Sequence, residues 1–250
     1  MRVPTSRVRT IIATILSAFL FALPGCDSGS PEDNFVVTYD PPFDASQFVA
    51  EVDNPFFPLA PGTVLTYEGD TEEGHELIVV EVLNDTRIVA GVTTIVVRDR
   101  VYLDGALIED TFDWFAQDED DNVWYLGEET AEYEDGEVVG TDGSWEAGID
   151  GAEAGIVMPG SPEVGQAYYQ EFHAGEAEDR GRILSITEDV TVPAGTFSNC
   201  VKTEDTTPLE PDVLEYKYHC PGVGTVLEED LEDGAMFELQ SIDTGSGSGS

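Results

Sequence analysis

Between Gly62 and Ile242, apolar and polar residues alternate in short runs broken by turn residues, and no segment sustains a 3.6-residue period. The pattern predicts strands at 63–68, 76–83, 86–89, 92–103, 106–116, 123–127, 130–133 and 137–139. After a gap, further strands are predicted at 166–173, 180–190, 196–205, 213–219, 225–229 and 236–242. Turns are expected at Asn84-Asp85, Asp104-Gly105 and Asp135-Gly136, and at the Pro/Gly-rich connections 193–195 and 221–222. One short helical turn is expected near 44–49. So many evenly spaced antiparallel hairpins imply an all-β fold: a barrel, half-barrel or sandwich of roughly 12–14 short strands with little helix.

Two hairpins in series over residues 92–129 organise this pattern. Asp-Gly between apolar runs favours a two-residue turn, because both central residues must adopt positive φ. With Asp104-Gly105 as that turn, Ile95 faces Trp114 and Val97 faces Phe112 on one side. On the other side Arg100 faces Glu109 and Val96 faces Asp113, with Arg98 diagonal to both acids. The Trp114 side, joined by Trp124 and Leu126, is then the expected core. The opposite side carries Arg98, Arg100, Asp113, Phe115 and Tyr125. Together with Trp145 these form the candidate ligand-binding set: a planar guanidinium can grip an anionic or carbonyl group with two bonds, between aromatic walls. The stretch 140–163 has Trp145, Ile149, Ile156 and Met158 among glycines. It is too apolar for disorder and is expected as an ordered loop closing one end, in the manner of a lid. The proline-rich stretch 54–63 cannot be a central strand and is expected to be a stiff arm plugging the core.

The first residues change the picture from fold to address. Arg2, Arg7 and Arg9 precede an apolar run, 11–22, which is too short for a spanning helix of about 20 residues. Leu23-Pro24-Gly25-Cys26 follows and resembles the lipobox of bacterial lipoproteins. That resemblance implies cleavage before Cys26, diacylation of its thiol, and an exported domain anchored to the cell membrane from outside the cytoplasm. Asp27 resembles an inner-membrane retention signal of diderm bacteria. The expected organisation is a signal peptide (1–25), a flexible tether (26–34), a single β domain (35–243) and a Gly/Ser tail (244–250) with the composition of an appended linker. With Cys26 committed to lipid, Cys200 and Cys220 remain. In an exported chain they are expected to form a disulfide across one hairpin, turning near residue 210.

The charge is extreme: 10 basic against 52 acidic residues, a formal net charge of −42. Nucleic acid and anionic membrane surfaces are disfavoured as partners, so the membrane is reached through the lipid anchor only. The acids are spread along the chain, as in adaptation to a salty milieu; cation capture is the sharper alternative. The turn 118–122 partly fits a calcium loop, with Asp118, Asp120 and Asn122 at alternate positions, though Val123 stands where that loop needs glycine. Ca2+ is therefore the one cofactor considered, weakly, and none is required. Glu146 and Glu171 could pair as acid and base in a carboxylate-based hydrolase, but no nucleophile elbow or phosphate loop is present. Of the scarce basic residues, Arg98/Arg100 and Arg180/Arg182 form two same-face pairs.

The stretches 54–63, Asp113-Trp-Phe-Ala-Gln-Asp118 with Asn122-Val-Trp-Tyr125, Gly143-Ser-Trp-Glu-Ala-Gly148 and Val192-Pro-Ala-Gly-Thr-Phe197 together resemble an uncharacterised family of exported bacterial proteins. The resemblance covers most of residues 50–230 and implies an exported all-β domain, with no activity or catalytic residue to carry over. The sequence thus predicts a lipid-anchored β domain that binds a small molecule or an envelope partner. The alternatives are a calcium-dependent or structural envelope protein and the carboxylate-based hydrolase.

Overall fold

The Asp-Gly pairs turn the chain as their chemistry requires. Asp104 and Gly105 have φ of 49° and 85°, and Asp135 and Gly136 have 53° and 80°, the double positive φ of a twisted hairpin turn. Ala90-Gly91 does the same at 49° and 86°, without an Asn or Asp to announce it. The computed structural model describes residues 35–245. Its strands are β1 (Val64–Asp70), β2 (His75–Val89), β3 (Val92–Leu103), β4 (Ala106–Gln117), β5 (Val123–Glu134), β6 (Glu137–Gly140), β7 (Trp145–Glu146) and β8 (Glu153–Met158). They continue as β9 (Ala167–Tyr169), β10 (Glu171–Phe172), β11 (Arg180–Val192), β12 (Gly195–Thr207), β13 (Glu210–Cys220), β14 (Gly224–Asp230) and β15 (Met236–Asp243). A single 3-10 turn, Ala45–Gln47, stands where a helical turn is expected, opened by the Asp44 side chain accepting from the Ser46 N–H.

All pairings are antiparallel, in one curled sheet ordered β10-β8-β5-β4-β3-β2-β1-β15-β14-β13-β12-β11-β9, with β6 and β7 flanking β5. The sheet is not closed by a ladder. Its two edges are instead joined by the chain itself: β9 pairs with β11 at one edge, β10 pairs with β8 at the other, and only Gln170 lies between them. Inward-facing Tyr67, Ile78, Phe115, Tyr168, Phe237 and Leu239 are fully buried. The proline-rich stretch plugs one end: Phe57 packs 5.3 Å from Phe115 and 6.4 Å from His219, so it touches both walls.

The turn at Asp104-Gly105 is as expected, but the register beyond it is not. Leu103 pairs with Ala106 and Tyr102 with Leu107; then Val101 pairs with Glu109, leaving Ile108 as a bulge. From there Arg100 faces Asp110, Arg98 faces Phe112, Val97 faces Asp113, Val96 faces Trp114 and Ile95 faces Phe115. One inserted residue exchanges the faces of everything that follows on one strand. The core face is accordingly that of Val97, Val101, Phe115 and Tyr125, each fully buried. Trp114 lies on the other side, with the Arg87 guanidinium 3.8 Å over its ring.

Two further expectations give way. Asn84-Asp85 is no turn; it sits in a bulge of the continuous strand β2, where residues 83–85 stand opposite Val96 alone. The stretch 140–163 is sheet rather than a lid: β7 and β8 both pair with β5, and Tyr125 faces Gly155. Glycines hid this, because they are needed for contact. A Cβ on Gly127 would stand 2.4 Å from the Trp145 carbonyl oxygen, and one on Gly155 2.4 Å from the Gln170 carbonyl. The Cys200–Cys220 disulfide is formed. The β12–β13 turn is tighter than expected, with Thr207 facing Glu210, but a bulge restores Val201 opposite His219 and so brings the cysteines together.

Candidate functional site

The curled sheet encloses carboxylates. Asp99, Glu109, Asp113, Glu128, Glu171, Asp179, Asp205, Glu215 and Glu228 are all buried, against one buried lysine, Lys217. Lys217 lies 3.4 Å from Asp205, 3.4 Å from Glu215 and 3.7 Å from Glu228. Burial alone would lower its pKa, but the surrounding acids more than reverse that and raise it. Among the described residues no lysine or arginine forms an ion pair with Asp99, Asp113 or Glu128. The Tyr125 hydroxyl lies 2.8 Å from Asp113 Oδ1 and 2.7 Å from Glu128 Oε2. A phenol has one hydrogen to give, so one of the two carboxyls must be protonated and donate to the phenol oxygen. Burial, then the charges of Asp113 and Glu171, push Glu128 well above the usual carboxylate range, so Glu128 carries that proton. Asp113 is pushed up to about 7 by burial, with the Tyr125 hydrogen bond working against the shift and Glu109 adding to it. Asp99, with no donor on either oxygen, is raised by burial and by Asp113, Glu109 and Glu228.

Of the sequence-predicted set, the structure brings Asp113, Phe115, Tyr125 and Trp145 together inside: Phe115 stacks on Tyr125 at 4.8 Å, and Trp145 meets Tyr125 edge-on at 5.3 Å. The arginines are not with them. Arg98 grips Asp110 with two bonds, 2.7 and 2.6 Å, and Arg100 reaches Glu81 at 3.3 Å, both on the outer face. The expected arginine-lined pocket is therefore not assembled: Arg98 and Arg100 keep the face opposite Val97, while the Ile108 bulge on β4 turns Asp113 and Phe115 to the buried Val97 side. Glu146 and Glu171 do not converge either: Glu146 bonds Arg87 at 2.6 Å beside Trp114, whereas Glu171 is buried in the interior.

In the 118–122 turn, Asp118 Oδ1 accepts from the Asp120 and Asn122 backbone N–H groups. Its Oδ2 accepts from the Asn122 amide and the Trp124 indole, all at 2.8–2.9 Å. Asn122 Oδ1 accepts from the Tyr39 hydroxyl at 2.7 Å and from the Gly160 N–H at 2.9 Å. These oxygens are occupied in positioning protein groups, and among the described residues no group of three or more His, Cys, Asp and Glu is arranged to hold a metal ion.

What the turn positions is a surface cleft of about 200 Å³, lined by Tyr39, Asp40, Pro41, Trp124, Tyr169, Phe172 and β8 residues 153–156. The segment ahead of β1 forms one wall, held by the Thr38 and Tyr39 N–H groups donating to the Ala167 carbonyl at 2.8 and 3.0 Å. Tyr169 and Phe172 form the other wall, edge to face at 5.4 Å. Two of the four aromatic side chains are tied by hydrogen bonds to the 118–122 turn, Trp124 through Asp118 and Tyr39 through Asn122. Asp40 and Glu153 are exposed at the cleft. Among the described residues no basic side chain pairs with either. The sequence pattern misses this cleft, because its walls come from four separated segments and each ring reads locally as core.

No protein-family model matches the chain, and no curated protein matches it. Among solved structures it is similar to a protein from Parabacteroides distasonis described as a "putative lipoprotein", at 16% identity over 76% of this chain and 99% of that one, with a TM-score of 0.37. A likeness this loose carries no argument about function. Cys26, the expected lipidation site, lies outside the described residues. No helix among them is long and apolar enough to cross a membrane.

Proposed function

We propose that the chain is an exported binding protein, anchored to the membrane through lipidated Cys26, whose domain captures a small ligand in the Tyr39–Trp124–Tyr169–Phe172 cleft. The cleft carries this reading. It is a surface concavity in which aromatic walls meet the carboxylates of Asp40 and Glu153, a pairing of apolar wall and polar anchor that ligand sites use. Two of its four aromatic side chains, Tyr39 and Trp124, are held by hydrogen bonds before any ligand arrives, which lowers the ordering cost of binding. The Leu-Pro-Gly-Cys order at 23–26 supports the anchor. In the interior, Asp99, Asp113 and Glu128 are buried away from solvent. Arg98 and Arg100 are already matched by Asp110 and Glu81.

Two measurements test the reading. Intact mass of protein extracted from membranes should begin at an acylated Cys26; a soluble form cleaved elsewhere would remove the anchor from the account. A thermal-shift screen of small molecules should find ligands that raise the melting temperature, since anything binding only the native state must do so. The response should vanish in Tyr169→Ala and Phe172→Ala. A shift that survives both substitutions would place the site elsewhere.

A further inference from the structure

We infer that the cleft takes a small organic cation, an alkylammonium group seated among the aromatic rings with Asp40 and Glu153 as its counter-charges. This rests on the cleft being the binding site and assigns the chemistry of what enters it. The charged members of the lining are those two carboxylates, and no Lys, Arg or His is among the lining residues. Carboxylates only accept hydrogen bonds, so the cleft offers two anions and no cationic donor. An anionic ligand is repelled at this surface.

The aromatic component points the same way. Tyr39, Trp124, Tyr169 and Phe172 surround the space, and aromatic faces attract cations through their quadrupole. This aromatic set already tolerates one cation nearby: the Arg180 guanidinium lies 5.5 Å from the centre of the Tyr169 ring and 5.2 Å from that of Phe35. A neutral sugar could also stack on rings, but it would leave two negative charges unmatched. It would also find the Tyr39 hydroxyl donating to Asn122. Size narrows the class further, since about 200 Å³ is below the range of drug-sized sites and suits a head group of a few heavy atoms. The field of the whole chain, at a net charge of −42, raises the local concentration of cations at such an opening.

The test uses the mature chain, with choline as the cationic probe and 3,3-dimethyl-1-butanol as its neutral isostere, followed by calorimetry and by NMR of the Trp124 indole. Choline should bind, with the isostere about tenfold weaker or more. The exposed changes Asp40→Asn and Glu153→Gln, made together, should weaken choline about fivefold or more while leaving the isostere unchanged. Equal binding of the two probes would overturn the cation assignment and leave the cleft standing as an apolar site. If neither probe moves the Trp124 signal at roughly 10 mM, the cleft itself fails as the binding site, and the assignment falls with it. A choline response that persists in the double variant would also overturn the assignment, because the two carboxylates would then do nothing.

Discussion

The 118–122 turn and the interior both bury carboxylates, and they treat them in opposite ways. Asp118 is 8% exposed and receives four N–H donors across its two oxygens. Those donors replace water, so its charge can be used to fix the turn, Trp124 and, through Asn122, Tyr39. Asp99 is wholly buried and receives none. Asp113 and Glu128 share one phenol. Without donors a buried carboxyl gives up its charge rather than its place in the fold. The number of donors, not the number of acids, separates a structural anchor from a protonated filler.

The comparison is broken or kept most decisively by making one substitution in both regions. Asp118→Asn replaces an acceptor oxygen by an NH2 group and strands two of the four donors. It is expected to cost about 3 kcal/mol, read as a lower melting temperature. Asp99→Asn, the same chemical change, should leave stability at pH 8 unchanged or raised, because it removes a desolvated acid. Comparable losses at the two sites would break the distinction.

The pH profile is the next largest effect. Asp113 is raised from its ordinary 3.8 to about 7 in the fold. The folded state therefore holds a proton that the unfolded chain has released. The stability this provides is complete below about pH 4 and is lost as pH rises through about 7. Glu128, Glu171, Asp179 and Asp99 act in the same direction, each raised chiefly by burial. His219 works the other way: burial lowers it from 6.5 to about 4, so its contribution is present above 6.5 and lost as pH falls toward 4. Above pH 6.5 the raised acids, joined by His75, which is raised by its Asp70 hydrogen bond, all lose their contribution as pH rises, and the melting temperature should fall steadily toward alkaline pH. Asp113→Asn should flatten the part of this slope near pH 7. A melting temperature that rises with pH across that range would contradict the scheme.

The smallest effect concerns the outer pair. Arg98→Met leaves Asp110, whose side chain is 11% exposed, without its two guanidinium bonds. Arg98 itself is a third exposed, so solvent screening limits the loss to about 1 kcal/mol. Binding of a ligand at the cleft should be untouched. If Arg98→Met abolished ligand binding, the outer face would have to replace the cleft as the functional surface.

Much of the fold could be read from alternation and turn chemistry. β3 is matched residue for residue, the Asp-Gly turns form as their φ requirement dictates, and the cysteines meet across the expected hairpin. Faces were harder. Ile108 is an ordinary strand residue, and nothing in its neighbours marks it as the bulge that carries Asp113 and Phe115 to the face opposite Arg98 and Arg100. β8 was hidden because Gly155 contributes no side chain to the pattern, its absence being what allows the edges to approach. The interior acids read as solvated surface, since a carboxyl that will be protonated looks the same in sequence as one that stays charged. Asp113, Phe115, Tyr125 and Trp145 were recognised as belonging together. Their environment was not, because it depends on Glu171, brought in by β10 from far along the chain, and on Glu128, three residues from Tyr125 on the same strand yet turned to the same interior.

The most direct test of this distinction is a site-resolved NMR titration of the side-chain carboxyl carbons. The Glu128 and Asp99 resonances should hold the protonated position through the range near pH 4 where ordinary carboxyls ionise, and should move only above it or on unfolding. Both carboxyls ionising in that ordinary range in the folded protein would contradict the account. The interior would then need a cation or solvent that this arrangement does not provide.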